Sequence, residues 1–182
     1  MTEKTNNTNR MQCMTLCAVL TGLSMVLSMI KIIPMPFGGS ITLFSMLACT
    51  LTGYFCGVKW GIASGVSLGI LNLAFGGIFY HPVQVLLDYV LGFGVLGLAG
   101  ITRNQRRGLQ SGYGLACVLR FLCSTLSGII FFASCAPEGI GPILYSVCYN
   151  LFYIGGEGLL TLAVLSVPSV RKAIERLGSG LL

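Results

Sequence analysis

Long apolar runs separated by short polar stretches make up most of the chain, and they predict membrane-spanning helices. A helix needs about 20 mostly apolar residues to cross the hydrocarbon core of a bilayer. Six runs approach or exceed this length, at residues 11–33, 41–58, 60–75, 82–101, 113–134 and 141–167. The pattern therefore predicts an all-α integral membrane protein whose six-transmembrane-helix bundle spans residues 11–167.

The flanking segments are more polar than the bundle. Residues 1–10 carry no signal-peptide cleavage pattern and predict a short cytoplasmic N-terminus, whereas residues 168–182 predict a cytoplasmic tail. Neither flank is long enough to suggest a second domain, so we expect residues 1–182 to form a single membrane domain.

Composition supports a lipid environment. Hydrophobic residues make up 54% of the chain and charged residues only 9%, whereas soluble domains carry about 25% charged residues. The net charge of +6 does not indicate nucleic-acid binding, because the basic residues lie in short segments between or beside the apolar runs. If six helices alternate in direction, nine of these residues fall on one side: Lys4, Arg10, Lys59, Arg103, Arg106, Arg107, Arg171, Lys172 and Arg176. The positive-inside rule then predicts that both termini are cytoplasmic.

The residues usually involved in metal binding and catalysis form no recognisable motif. The eight cysteines include no CxxC pair, and most lie inside apolar runs, where cysteine behaves as a small hydrophobic residue. His81 is the one histidine and precedes Pro82 at a helix start, which favours an interfacial position over a metal ligand. We therefore predict no metal, no cofactor and no enzymatic activity.

Three ionisable residues fall within the predicted spans: Asp88, Arg120 and Glu157. Charges inside a membrane are costly and usually face a cavity or a partner. One interpretation is an internal salt bridge that joins the last three helices. The other is a ligand site, because two carboxylates and one guanidinium leave a surplus negative charge that a cationic ligand would neutralise.

Polar and aromatic residues share helix faces with these charges. Gln84 and Asp88 are four residues apart, and Tyr145, Tyr149, Tyr153 and Glu157 continue the same spacing along the sixth helix. An interfacial aromatic belt is the alternative interpretation, but a belt would be confined to one end of a helix. Aromatic faces beside carboxylates suit a flat organic cation.

These residues, in this order, resemble the thiamine-specific S-component of energy-coupling factor (ECF) vitamin transporters. The resemblance extends over roughly residues 12–166 and is carried by residues 38–43, 81–89, 127–132, 136–139 and 145–157. It implies a six-helix protein that binds thiamine near the outer face of the bacterial plasma membrane. Transport would be driven by the shared ECF membrane subunit and two ATPase subunits, and the chain itself lacks the P-loop pattern for ATP.

The resemblance also implies roles for individual residues. Asp88 would face the aminopyrimidine of the ligand, Arg120 would lie near its hydroxyethyl end, and Gly128 would allow close approach to helix five. The full set of predicted substrate-binding residues is Gln84, Asp88, Tyr89, Arg120, Ser124, Gly128, Phe132, Tyr145, Ser146, Tyr149, Asn150 and Glu157. The family has a histidine at the position of Ser124 and tryptophans near Gly39 and at Phe132, so a thiamine precursor or analogue is an alternative ligand.

Two further expectations concern partners and transport. Ala18 and Gly22 are four residues apart on the first helix and match the small-residue face through which S-components dock on the membrane subunit; ordinary helix packing is the alternative. The Pro- and Gly-rich loop between the first two helices could act as a lid. The alternative function is a stand-alone secondary transporter of a small organic cation that uses Asp88 and Glu157 as a proton relay.

Overall fold

The structure is a computed structural model that describes the backbone of residues 2–137 and 139–181 and the side chains of residues 10–137 and 139–178. Lys4, one of the nine basic residues that the sequence places on the cytoplasmic side, and Glu138 lie outside the described side chains. Helices make up most of the described chain, which confirms an all-α membrane protein as the fold class.

Four helices are long and apolar enough to cross a membrane, and two shorter apolar helices lie between the first and second of them. In chain order, the helices are α1 (Thr2–Met29), α2 (Ser45–Cys56), α3 (Val58–Ala74), α4 (Pro82–Thr102), α5 (Gly108–Phe131), α6 (Pro142–Ser166) and α7 (Pro168–Leu181). The predicted tail therefore forms a helix from Pro168 onward, and the polar N-terminal segment continues α1 back to Thr2.

The predicted first helix is wrong at both ends. It begins at Thr2 rather than at residue 11, and it ends at Met29 because residues 31–34 form a strand, β1 (Lys31–Pro34), paired antiparallel with β2 (Ser40–Thr42). The second helix consequently begins at Ser45 rather than at residue 41. A short run of apolar β-branched residues does not distinguish strand from helix in the sequence, and here the pairing partner decides.

Two long helices contain a wider turn at mid-length. Residues Leu86–Leu91 of α4 and Leu151–Gly155 of α6 adopt π-helical hydrogen bonding. Each helix continues through its wider turn, but the turn changes which residues before and after it lie on the same face of the helix. Such insertions often occur at functional sites.

Glycines bring α2, α3 and α4 into backbone contact. A Cβ atom on Gly61 of α3 would lie 2.5 Å from the Cα of Gly53 and 2.7 Å from the Cα of Gly97, which belong to α2 and α4. In lipid, where apolar side chains gain nothing by leaving the solvent, such close packing is a main source of helix association. Close contacts at these glycines therefore hold α2, α3 and α4 together.

The outer surface is apolar along the long helices. Large side chains such as Val26 of α1, Leu122 of α5 and Leu159 of α6 are exposed, whereas Leu68, Leu96 and the other core residues are buried between helices. A surface of this kind is stable in hydrocarbon and not in water.

Replacing Gly61 with alanine should destabilise the bundle by about 1–3 kcal/mol, because the added methyl group overlaps two neighbouring backbones. Thermal unfolding of the purified protein in detergent would measure the loss. The matched control is Gly114→Ala in α5, where nothing lies within 4 Å of the added Cβ and stability should be kept. Equal melting temperatures for the two variants would contradict this packing.

Candidate functional site

A cavity of about 420 Å³ opens between the β1–β2 hairpin, α1, α3, α4, α5 and α6. It lies toward the end of the bundle where α3 ends, α4 and α6 begin and the hairpin is located. Its volume is within the range of roughly 300–1,000 Å³ that is typical of small-molecule sites. Its walls combine aromatic rings with many polar and charged side chains, so the site suits a ligand that is both aromatic and polar.

Asp88 of α4 is held by two hydrogen bonds that reach the same carboxylate oxygen. Gln84 Nε2 and Ser127 Oγ each donate to Asp88 Oδ2 at 2.8 Å, one from the same helix and one from α5. Among the described residues no hydrogen bond reaches Oδ1, although Asp88 lines the cavity. The site therefore contains an oriented carboxylate with one oxygen open to a ligand.

Tyr89 connects α4 with the segment that follows α3. Its hydroxyl accepts a hydrogen bond from the backbone N–H of Ile78 at 2.8 Å, and its ring stacks on Phe93 with centroids 6.5 Å apart. This contact fixes the wall of the cavity formed by the α3–α4 loop.

Arg120 of α5 forms no salt bridge with Asp88 or Glu157 in the described part of the chain. Its guanidinium carbon lies 3.8 Å from the ring centroid of Phe93, a cation–π contact. Its Nε and Nη1 atoms are buried and have no hydrogen-bond partner among the described residues. The internal salt bridge considered from the sequence is therefore not present.

Glu157 of α6 is only 3% exposed, and hydrogen-bond donors from residues 42–46, at the N-terminus of α2, surround it. Its Oε2 accepts from Thr42 N at 3.2 Å and Thr42 Oγ1 at 2.6 Å, and its Oε1 accepts from Met46 N at 3.0 Å and Ser45 Oγ at 3.3 Å. Both of its oxygens are thus occupied by the protein.

These contacts change the charge balance inferred from the sequence. Lys31 also lines the cavity. The charged side chains of the cavity wall are therefore two carboxylates and two cations, Asp88, Glu157, Lys31 and Arg120, rather than a surplus of anions. Lys31 is exposed and Glu157 is occupied, which leaves the open oxygen of Asp88 as the available anionic contact in the interior.

The tyrosines of α6 line the cavity rather than a lipid-facing belt. Ring centroids are 5.9 Å apart for Tyr145 and Tyr149 and 5.7 Å apart for Tyr149 and Tyr153. The hydroxyl of Tyr149 accepts from Gly39 N at 2.9 Å and donates to the carbonyl of Pro36, both in the hairpin. The regular spacing in the sequence therefore correctly predicted one continuous polar and aromatic face.

Ser146 and Asn150 join α6 to α5. Ser146 Oγ donates to the carbonyl of Thr125 at 2.9 Å, and Asn150 Nδ2 donates to the carbonyls of Ser146 at 2.9 Å and Ser124 at 3.4 Å. No hydrogen bond between described residues reaches Asn150 Oδ1, so this acceptor is available at the cavity wall. Gly128 allows the approach, since a Cβ there would overlap Ser146 Oγ.

Aromatic residues surround the N-terminus of α4. Phe132 meets Tyr80 edge to face at 5.1 Å, and His81 stacks on Phe131 at 5.3 Å. His81 Nδ1 also accepts from Val83 N at 3.2 Å and so caps the helix. No group of three or more metal-binding side chains is found among the described residues.

All twelve residues predicted to bind substrate line this one cavity, and their role in binding remains a prediction. The sequence-based list omitted lining residues on α1 and α3, including Ser28 and Asn72, whose side chains hydrogen-bond at 3.2 Å. It also omitted Phe93, although this residue follows Tyr89 by four positions and so shares its helix face.

Ala18 and Gly22 are exposed on α1 and do not line the cavity. Nothing lies within 4 Å of a Cβ built on Gly22, so no other part of the described chain packs on this face. The face is therefore free to contact lipid or another protein.

A family model described as thiamine transporter protein matches residues 14–175 of the chain. Among characterised relatives, the thiamine transporter ThiT of Bacillus subtilis is 30% identical over 164 residues, which cover 81% of this chain and 85% of that protein. The thiamine transporter ThiT of Lacticaseibacillus paracasei is 27% identical over 144 residues, which cover 70% of this chain and 68% of that protein.

A solved structure of ThiT from Listeria monocytogenes has the same fold. The TM-score is 0.74, and the match covers 88% of this chain and 97% of that one at 21% sequence identity. The match includes nearly the whole of that protein.

The contact between α5 and α6 generates a double-mutant prediction. Gly128→Ala should destabilise the protein by about 1–3 kcal/mol, because its methyl group overlaps the hydroxyl of Ser146. Adding Ser146→Ala removes that hydroxyl, so the double variant should be more stable than the sum of the two single changes. Thermal unfolding in detergent measures all three; strict additivity would contradict the contact.

Proposed function

This chain belongs to the thiamine transporter protein family, and we propose that it is the substrate-binding S-component of an ECF importer that captures thiamine at the outer face of the plasma membrane. The family resemblance identified from the sequence is confirmed, and the chain is a multi-pass membrane transport protein rather than an enzyme.

The observation that carries this proposal is the open oxygen of Asp88 in a cavity lined by aromatic rings. Thiamine combines an aminopyrimidine, which donates hydrogen bonds through its amino group, with a permanently cationic thiazolium ring. The oriented carboxylate of Asp88 suits the first, and the rings of Tyr145, Tyr149 and Phe132 suit the second through cation–π attraction. Asn150 Oδ1 adds an open acceptor on the opposite wall.

The orientation follows from the position of the cavity relative to the basic residues. Lys59 lies at the start of α3, Arg103, Arg106 and Arg107 lie between α4 and α5, and Arg171 lies in α7. The cavity is toward the opposite end of the helices, beside the hairpin and the α3–α4 loop. With six spanning helices, the positive-inside rule puts both termini in the cytoplasm and opens the cavity outward.

Docking on a partner would use the free face of α1. Ala18 and Gly22 leave a shallow path between exposed apolar side chains, where another helix can approach closely. Because the chain has no P-loop pattern, ATP hydrolysis would come from two partner ATPase subunits that act through the shared membrane subunit.

The alternative of a stand-alone carrier is less consistent with the geometry. A proton relay between Asp88 and Glu157 needs Glu157 to have an oxygen free to exchange a proton, but four donors from the 42–46 segment occupy both of its oxygens. Uptake of thiamine by the purified chain alone in liposomes under a pH gradient would favour the carrier. Uptake only with the partner subunits and ATP would favour the S-component.

Asp88→Asn should weaken thiamine binding by about 10- to 100-fold, because a hydrogen bond to a buried charged group contributes about 1.5–3 kcal/mol. Isothermal titration calorimetry of the purified protein measures the change. The matched control is Glu175→Gln, which makes the same change from carboxylate to amide in α7, outside the cavity. This variant should bind thiamine with the affinity of the unmodified chain. Unaltered affinity in Asp88→Asn would remove Asp88 from the site.

Gly22→Leu should abolish thiamine uptake by cells that contain the partner subunits while leaving binding by the purified protein intact. The large side chain would fill the exposed path on α1 without touching the cavity. Gly114→Leu on α5, at another glycine with open space, is the matched control and should retain uptake. Loss of binding in Gly22→Leu would instead indicate a folding defect.

A further inference from the structure

A second cavity, of about 470 Å³, lies at the end of the bundle opposite the hairpin. Its lining residues define the basic notch: Gln105, Arg106, Arg107 and Arg171. The first three belong to the loop between α4 and α5, and Arg171 belongs to α7. Three guanidinium groups therefore share one open cavity, although like charges repel one another.

The α4–α5 loop is held in shape by its own hydrogen bonds. Gln105 N donates to the carbonyl of Thr102 at 2.9 Å, and Gly108 N donates to the carbonyl of Gln105 at 2.9 Å. The hydroxyl of Thr102 donates in turn to the carbonyl of Gly108 at 2.7 Å. The turn requires glycine at this point, because a Cβ on Gly108 would lie 2.2 Å from the carbonyl oxygen of Thr102. A compact turn thus presents the exposed side chains of Arg106 and Arg107.

Helix α7 brings Arg171 to this loop by folding back across the end of the bundle. Val167, which separates α7 from α6, is extended with ψ 114° and ends the straight course of the chain. Helix α7 then reaches α2, since a Cβ on Gly178 would lie 2.4 Å from the ring of Phe55. Ile174 packs against the hydrophobic core between these two points. The fourth wall of the notch is therefore fixed by packing.

The hydrogen-bonding capacity of Arg171 is not used within the described chain. Its Nε atom is buried and has no hydrogen-bond partner among the described residues. Glu175 Oε1 lies 3.7 Å from this atom, beyond the usual N–H···O range of about 2.7–3.2 Å, so Glu175 offsets charge without supplying a hydrogen bond. Guanidinium groups bind phosphate oxygens through paired N–H donors. A phosphate in the notch would supply acceptors and remove the repulsion between the arginines.

The exposed side of α7 indicates where the phosphate comes from. Lys172, Arg176 and Leu177 are exposed on this helix, which follows directly on the spanning helix α6. Exposed basic and apolar side chains on one short helix are typical of the membrane–water interface. Lipid phosphates lie at that level, and basic pockets beside spanning helices bind anionic headgroups.

We propose that the basic notch binds the phosphate of an anionic phospholipid from the leaflet at that end of the bundle. Arg106 and Arg107 hold the phosphate from the loop, and Arg171 holds it from α7. Exposed Ile101 and Val167 each precede a notch residue by four positions, so apolar helix surface for the acyl chains extends to within about one turn of the site. The bound lipid then joins the α4–α5 loop to α7.

Native mass spectrometry of the purified chain in detergent tests this site. In a mixture of phosphatidylglycerol and phosphatidylcholine with the same acyl chains, the unmodified chain should retain phosphatidylglycerol and lose phosphatidylcholine. Arg106→Gln and Arg107→Gln should each weaken phosphatidylglycerol binding by about fivefold, the effect of one basic residue near an anionic headgroup. The matched control is Arg103→Gln, the same change in the same loop but outside the notch, which should retain the affinity of the unmodified chain.

Two further variants and one soluble anion complete the test. Arg107→Lys keeps the charge but lacks the paired donors, so it should also bind more weakly. Melting temperatures equal to that of the unmodified chain show that the variants are folded; if Arg107→Gln melts lower, Arg106→Gln decides. Equal retention of the two lipids, or an equal loss in Arg103→Gln, would overturn the site. Inorganic phosphate in excess should leave the lipid bound; displacement by phosphate would make the occupant a soluble anion and overturn the lipid assignment.

Discussion

The need to satisfy buried polar groups within an apolar bundle governs the site. Hydrocarbon offers no hydrogen bonds, so a polar side chain between these helices must find its partner in the chain or face the cavity. Glu157 finds four donors, and Asp88 finds two and keeps one oxygen open. The distribution of satisfied and unsatisfied atoms thus separates groups that hold the structure from groups available to a ligand.

The two halves of the bundle achieve stability in different ways. Helices α2, α3 and α4 approach one another through glycines and leave little room for side chains between them. Around the cavity, α4, α5 and α6 are connected instead by hydrogen bonds such as those of Ser127 and Ser146, and by stacked rings. A half that is packed through backbone contacts therefore supports a half whose polar and aromatic side chains line the cavity.

Arg120 illustrates how the structure departs from simple charge pairing. In the sequence it stands between two acidic residues on neighbouring helices, which suggested a salt bridge. In the structure its guanidinium lies over the ring of Phe93, and two of its buried nitrogens lack partners. Burying these nitrogens without a partner costs free energy. Because Arg120 lines the cavity, a ligand that supplies a hydrogen-bond acceptor would remove this cost.

The sequence by itself determined the all-α membrane fold class and twelve of the residues that line the cavity. These properties depend on composition and on the fixed spacing of residues along a helix, as for Gln84 and Asp88 or for Tyr145 and Tyr149. Only the tertiary structure decided that residues 31–42 form a hairpin, that Glu157 caps α2 and that Asp88 keeps an oxygen open. The hairpin was missed because a short apolar run does not distinguish a strand from a helix. The contacts of Glu157 with Met46 and of Ser127 with Asp88 join residues 111 and 39 positions apart on different helices, and no local pattern in the chain encodes such pairings.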